Sequence, residues 1–203
     1  MRIGRLEITR FRGFESLILT PRANVVIVGE PRAGRSDLIA ALRRVLEPRS
    51  IQSRPSEWDI YRPLPDPPSP EAEEDDEPDV QMTSIELTLL DLPEETEQRL
   101  QDRLELLNPT TGELADEDET GDAELGMRLR YILRNDPDEA VLQHWIEYPK
   151  SGARIPRADR ELLRAYVLDR NTPLQLRAEG ALRRLASDPD AKALGEGRDD
   201  SSS

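Results

Sequence analysis

The sequence has no cysteine. A disulfide framework and any thiolate metal site are therefore excluded. It has one histidine, His144, so the usual histidine-based zinc sites lack ligands. His144 sits in the alternating stretch AVLQHWIEY and reads as a strand residue, not a catalytic base. No apolar run approaches the ~20 residues that cross a bilayer. Met1-Arg2-Ile3-Gly4-Arg5 leads into an alternating pattern, not the apolar run of a secretory signal. A soluble cytoplasmic protein, with no membrane partner, is expected.

Charge and proline are plentiful instead. Charged residues are 34%, there are 17 prolines, and the mean hydropathy is −0.69. Part of such a chain cannot bury enough apolar surface to fold tightly. The net charge of −14 is unevenly spread. Residues 1–62 hold 12 basic and 7 acidic residues, whereas residues 63–124 hold 2 basic and 22 acidic. The acidity is local, and a polyanion such as DNA stays open as a partner for the N-terminal part.

Hydrophobic periodicity supplies the elements. Arg2–Phe11 alternates and predicts a strand; Ser16–Thr20 predicts a second, after a turn at Arg12-Gly13-Phe14. Asn24–Val28 (NVVIV) is continuously apolar and β-branched, the pattern of a strand buried on both faces. Leu38, Ala41, Leu42, Val45 and Leu46 recur at helical spacing, and Pro48 ends that helix. Residues 63–80 are proline-rich, then acidic, and predict a disordered insertion. Thr83–Leu90 predicts a strand, and Asp91 to Leu107 a helix with Leu100, Leu104 and Leu107 on one face. Residues 108–124 predict a second acidic, mobile insertion. Segments 126–134 and 140–148 predict an antiparallel hairpin. Helices are expected over 157–168 and from a capping box at Thr172-Pro173-Leu174-Gln175. A domain over 1–187 and a tail over 188–203 follow.

Between the NVVIV run and the first helix stands GEPRAGRS, residues 29–36. Two glycines at this spacing, then a basic and a hydroxyl residue, form a P-loop pattern. Backbone N–H groups would curl around phosphate at a helix N-terminus. Gly29 and Gly34 provide backbone freedom, Arg35 charge, and Ser36 a magnesium hydroxyl. Glu30, Pro31, Arg32, Ala33 and Asp37 complete the candidate nucleotide site.

RITRFRGFESL followed by NVVIVGEPRAGRSDLIAALRRVL resembles the N-terminus of SMC/RecF/OLD-type ABC ATPases. Residues 2–46 carry the resemblance; residues 51–60, the strand at 83–90 and the helix at 157–168 are loosely similar to OLD-type domains. It implies an α/β P-loop NTPase fold: an ABC-type N-terminal lobe with an antiparallel β-subdomain and a parallel core. It implies ATP and magnesium as ligands, magnesium on Ser36, and Arg10 and Arg12 of the FRGF segment close to the nucleotide.

The pattern also departs from that family. Pro31 removes a donor N–H. Arg32 puts a side chain where glycine would ease an unusual backbone angle. Arg35 replaces lysine, and its planar fork is bulkier than an ammonium. No signature motif is present. The one candidate for the acidic strand that organises magnesium and water, Ile85–Glu95 with Asp91, is better explained by Asp91 and Glu94 capping a helix. The chain therefore reads as such a lobe without its C-terminal lobe. Two functions are expected from these residues. One is an ATP-binding lobe of a RecF/OLD-like ATPase of DNA repair or phage defence, completed by a partner chain or a homodimer. The other is a non-catalytic interaction or regulatory module on a degenerate P-loop.

Overall fold

Strand β1, Arg2–Phe11, organises the fold. It turns at Arg12-Gly13 into β2, Phe14–Leu19, and the two pair antiparallel from Leu6↔Leu19 to Phe11↔Phe14. The structure, a computed structural model, describes residues 1–22, 24–47, 50–63, 80–116, 121–139 and 141–163. These lie in one compact unit, Met1–Arg164. The core of the acidic stretch at 63–80, the end of the helix predicted over 157–168, the helix predicted from Thr172 and the tail at 188–203 lie outside the described residues.

Helix α1, Arg35–Leu46, comes next. After it, β3 (Gln81–Leu90), the short helix α2 (Glu94–Arg99), β4 (Glu105–Leu107), β5 (Glu124–Asn135), β6 (Gln143–Glu147) and α3 (Arg157–Leu162) complete the unit. The sheet has six strands, in the order β2-β1-β3-β5-β4, with β6 also paired to β5. Every pairing is antiparallel. This overturns the expected P-loop NTPase fold of ABC type, whose core is a parallel sheet. Only β1–β2 and β5–β6 are joined by short connections; β1–β3 and β3–β5 pair across longer excursions of the chain, still antiparallel.

The period of two decides the faces. Leu6 lies opposite Leu87, which lies opposite Leu129; Ile8, Ile85, Tyr131 and Ile146 form the next row. All of these are buried. The opposite face carries a charged row in the same register, Glu7, Glu86, Arg130 and Glu147. Arg130 donates to Glu86 at 2.7 Å, and Arg128 bridges Glu86 and Glu105 at 3.3 and 2.9 Å. Glu7, opposite Glu86, is paired by Arg5 on its own strand, while Arg128 and Arg130 pair across strands with Glu86, Glu105 and Glu147.

Helix α1 packs on the sheet through β1, β3 and β5, burying Leu38, Ala41, Val45 and Leu46. Each large aliphatic side chain so buried is worth roughly 1.5–3 kcal/mol. The helix stops where predicted. Glu47 is extended (φ −74°, ψ 119°), as the residue before a proline prefers.

Two sequence readings need correction. The helix expected from Asp91 to Leu107 is broken into α2, a 3-10 turn at Gln101–Arg103 and strand β4. Leu100 and Leu107 are buried, but Leu107 is buried as a strand residue facing β5. The turn at 108–116 is folded rather than mobile: the Asn108 and Gly112 backbones bond across it, and the Thr88 hydroxyl donates to the Gly112 carbonyl at 2.9 Å. No helix among the described residues is long and apolar enough to cross a membrane.

Candidate functional site

Residues 29–36 form a loop that opens directly into α1. A hydrogen bond from Ala33 N–H to the Glu30 carbonyl (3.2 Å) closes a four-residue turn with Pro31 at its second position and Arg32 at its third. Proline is pre-set for that second position, and its missing N–H is not needed there. Arg32 takes φ 70° and Gly34 takes φ 79°, both left-handed, with Ala33 between them in the ordinary region. Left-handed residues occur in anion nests, but the Ala33 N–H between these two is taken by the Glu30 carbonyl. Arg32 thus adopts the angle that glycine would take more cheaply.

Gly34 is also the N-cap of α1, and no side chain caps the helix. The N–H groups of Asp37 and Leu38 both return to the Gly34 carbonyl at 3.0 Å. The earlier N–H groups of the first turn have no intrahelical acceptor, which is where the helix dipole favours an anion. Arg35 folds its stem back over Gly29: a β-carbon there would lie 3.8 Å from Arg35 Cδ. Glu30, Pro31, Arg32, Ala33, Arg35 and Ser36 are all exposed.

The FRGF segment packs against this loop. The Phe14 ring lies under Gly34, and a β-carbon on Gly13 would meet Asp37 Oδ2 at 3.3 Å. Arg12 Nη1 pairs with Asp37 Oδ1 at 3.4 Å. Asp37 is therefore paired with Arg12, which also binds a second carboxylate, Asp59, more closely. Arg10 has an exposed side chain, while its carbonyl accepts from Tyr61 N–H (3.0 Å) and from the Thr83 hydroxyl (2.6 Å). Both arginines are left-handed, at φ 52° and 49°.

The residue that sequence reasoning missed is Asp59. It is fully buried. Arg12 Nε donates to its Oδ1 at 2.8 Å, Arg44 Nη2 to its Oδ2 at 2.6 Å, and Ser56 N–H to Oδ2 at 3.2 Å. Burial pushes the carboxyl up, but the Ser56 N–H and the guanidinium groups of Arg12 and Arg44 outweigh it and hold it below the usual carboxylate range. Asp59 thereby ties the FRGF turn to the far half of α1. The local signal was Ser56-Glu57-Trp58-Asp59, a capping-box spacing that the structure uses.

Asp91 is not brought to the loop. It sits at φ 50°, just after β3, and pairs with Arg2 at 2.7 Å. Arg2 starts β1 and the FRGF turn follows its other end, so ten strand residues, roughly 30 Å, separate Asp91 from the loop. Nor does Asp91 cap a helix: α2 begins at Glu94 with Pro93 as N-cap and no side-chain cap. Strand β3 runs between β1 and β5, antiparallel to both, and Glu86 on it is held by Arg128 and Arg130.

The NVVIV run is the largest departure from expectation. It is not a buried strand. Val25, Val26, Ile27 and Val28 are 58%, 84%, 40% and 86% exposed. A cavity of about 440 Å³ lies where Asn24 and Val25 approach Met1, Arg2 and Ile3.

Among the described residues, no group of three or more acidic or histidine side chains is gathered to hold a metal ion. Ser36, exposed in the first turn of α1, is the one sequence-predicted magnesium ligand. Magnesium usually keeps several waters and takes few protein ligands beside substrate phosphates, so a lone hydroxyl there is compatible with it. Compared with known proteins, the chain matches no family model and no curated protein.

Proposed function

We propose that Gly29–Ser36 bind the phosphate chain of ATP with magnesium, and that the protein is the ATP-binding part of a RecF/OLD-like, DNA-associated ATPase of DNA repair or phage defence. The observation that carries the binding reading is the pair of left-handed residues, Arg32 and Gly34, directly before an uncapped twelve-residue helix. Backbone donors and the helix dipole then favour a negative ligand in the same place. Two further features support it. Arg32 and Arg35 are exposed beside the loop, and three of the four left-handed non-glycine residues described, Arg10, Arg12 and Arg32, lie in it or in the segment that packs on it. Strained backbone of this kind gathers at functional sites. The DNA-related role rests on the resemblance of residues 2–46 alone.

The reading is of binding without turnover by this chain. Hydrolysis needs a group that orients water and carboxylates that organise magnesium. Asp91 is too far away, and Asp37 and Asp59 are engaged with arginines.

The test is titration of a fluorescent ATP analogue with magnesium. Saturable binding is expected, weakened by Arg35→Ala and by removing magnesium. Arg35 is exposed, so this variant leaves the fold intact, unlike changes at Gly34. No binding at millimolar nucleotide would overturn the proposal. It would favour the second reading, an interaction module on a degenerate loop.

A further inference from the structure

We propose that Trp58 and Arg62 form a base-stacking site for single-stranded nucleic acid, with Arg54 and Arg62 supplying charge for its phosphates. Trp58 is 78% exposed, yet the backbone that carries it is anchored. Ser56 Oγ accepts from the Trp58 N–H at 3.2 Å, and a capping box closes the turn. The next residue, Asp59, is fully buried, and its carboxylate is held by Arg12 and Arg44. Residues 59–61 then run antiparallel to the end of β1. Arg12 N–H donates to the Asp59 carbonyl at 3.1 Å and Tyr61 N–H to the Arg10 carbonyl at 3.0 Å, with buried Phe11 and Ile60 paired between them. The indole is thus a large ring presented to solvent from a fixed backbone. A ring held this way loses little freedom when it takes a ligand.

The surroundings choose the occupant. The Arg62 guanidinium lies 5.5 Å from the centre of the indole ring, a cation–π contact. Arg54 is exposed as well. The other exposed side chains of this segment, among them Gln52, Ser53, Ser56 and Glu57, are polar. The ring therefore lacks the apolar surround that a protein hot spot has. An unstacked base offers a π-face to the indole and a neighbouring phosphate to the arginines, whatever its sequence. A duplex keeps its base faces stacked and hidden. Glu57 is the one exposed acid of residues 50–62. Its pair with Arg62 at 3.3 Å is exposed on both sides and worth little, so the guanidinium stays available. Two arginines rather than one suit a chain of phosphates, and neither belongs to the loop at 29–36. The inference does not rest on nucleotide binding by that loop, and it is tested without nucleotide.

The experiment uses the full chain and a fluorescein-labelled oligothymidylate of about 12 nucleotides. Binding is read by anisotropy at low salt. Saturable binding is expected, weakening as salt rises. Trp58→Ala should weaken it about tenfold or more, and Trp58→Phe much less. The circular-dichroism spectrum should stay unchanged, since the fold uses only the backbone of this residue. Arg54→Ala with Arg62→Ala should weaken binding and flatten its dependence on salt. In a Trp145→Phe background Trp58 is the one tryptophan left, and stacking should quench its emission. A loop that binds no nucleotide changes none of these results. No saturable binding at low salt overturns the proposal and leaves Trp58 as a protein contact. Binding unchanged by Trp58→Ala, or a duplex bound as tightly as the single strand, overturns it too. So does displacement of the oligonucleotide by magnesium–ATP, because its phosphates then sit on Gly29–Ser36 or the base site belongs to a mononucleotide.

Discussion

Phe14 and Gly34 meet so closely that a β-carbon on the glycine would sit 2.9 Å from the tip of the phenyl ring. The contact joins the FRGF turn to the start of α1, and it makes Gly34 necessary twice over. Its φ of 79° is left-handed, and its missing side chain admits the ring. Gly34→Ala is expected to destabilise the protein by about 1–3 kcal/mol. At Arg32, also left-handed but exposed, Arg32→Gly should instead gain up to about 1 kcal/mol. Urea midpoints of the two variants check this. Equal effects of the two changes would show that the loop backbone is not held as described.

The Asp59 node predicts a large and pH-dependent effect. Asp59→Ala removes the shared partner of Arg12 and Arg44 and leaves two guanidinium groups partly buried. Breaking a buried pair costs about 3–5 kcal/mol; Arg12 is one-third exposed, so a loss near the lower end is expected. The folded carboxyl titrates below its ordinary value of 3.8. The stability it contributes is thus complete above that value and is lost as pH falls through the lower folded value. Acid unfolding followed by circular dichroism should begin at higher pH in Asp59→Asn than in the parent. Coincident acid transitions would refute the assignment.

Much of the sheet was legible because one residue pattern determined it. The alternation of Leu6 and Ile8 with Arg5 and Glu7 places β1, and that of Ile85, Leu87 and Leu89 against Glu86 and Thr88 places β3. The loop between Gly29 and Ser36 and the extent of α1 were equally readable, since turn residues, apolar spacing and Pro48 agree. Three things were not. Leu100, Leu104 and Leu107 are spaced as on a helix, yet pairing with β5 claims Leu107 for a strand. NVVIV has the composition of a doubly buried strand, yet its four aliphatic residues are exposed. Asp59 depends on Arg12 and Arg44, which lie 47 and 15 residues away in sequence, and no local pattern links them.

Tyr131 tests the polar cost of the core. It is fully buried opposite Ile85, with its ring 6.0 Å from that of His144, and its hydroxyl has no hydrogen-bond partner among the described residues. A buried unsatisfied hydroxyl costs about 1–3 kcal/mol. Tyr131→Phe should therefore stabilise the protein, by about 1 kcal/mol. Burial also pushes the phenol from 10.0 up to about 12. An acid with a raised folded value contributes stability below its unfolded value and loses it as pH climbs toward the folded one. The parent should weaken between pH 10.0 and about 12, and the phenylalanine variant should weaken less. Destabilisation by Tyr131→Phe at neutral pH would mean that the hydroxyl is satisfied.

Arg35 decides whether the loop is a phosphate site. Its stem already lies back over Gly29, so its charge is held near the left-handed turn. A charge-assisted hydrogen bond to phosphate contributes about 1.5–3 kcal/mol, and Arg35→Ala should weaken binding of a magnesium–ATP analogue by about tenfold or more. Arg35→Lys keeps the charge but exchanges a planar fork for a compact ammonium on a flexible stem. Above a turn closed by Arg32, whose own side chain takes space that glycine would leave open, the smaller head should fit the phosphates better. Arg35→Lys is therefore expected to tighten binding, and Arg32→Gly with Arg35→Lys to tighten it further. The two changes touch the same few atoms, so their effects should not simply add. Isothermal titration of the parent and the three variants measures both quantities. If neither lysine nor the double change raises affinity while alanine still lowers it, the fork itself contacts the ligand. If no variant differs from the parent, the loop binds no phosphate.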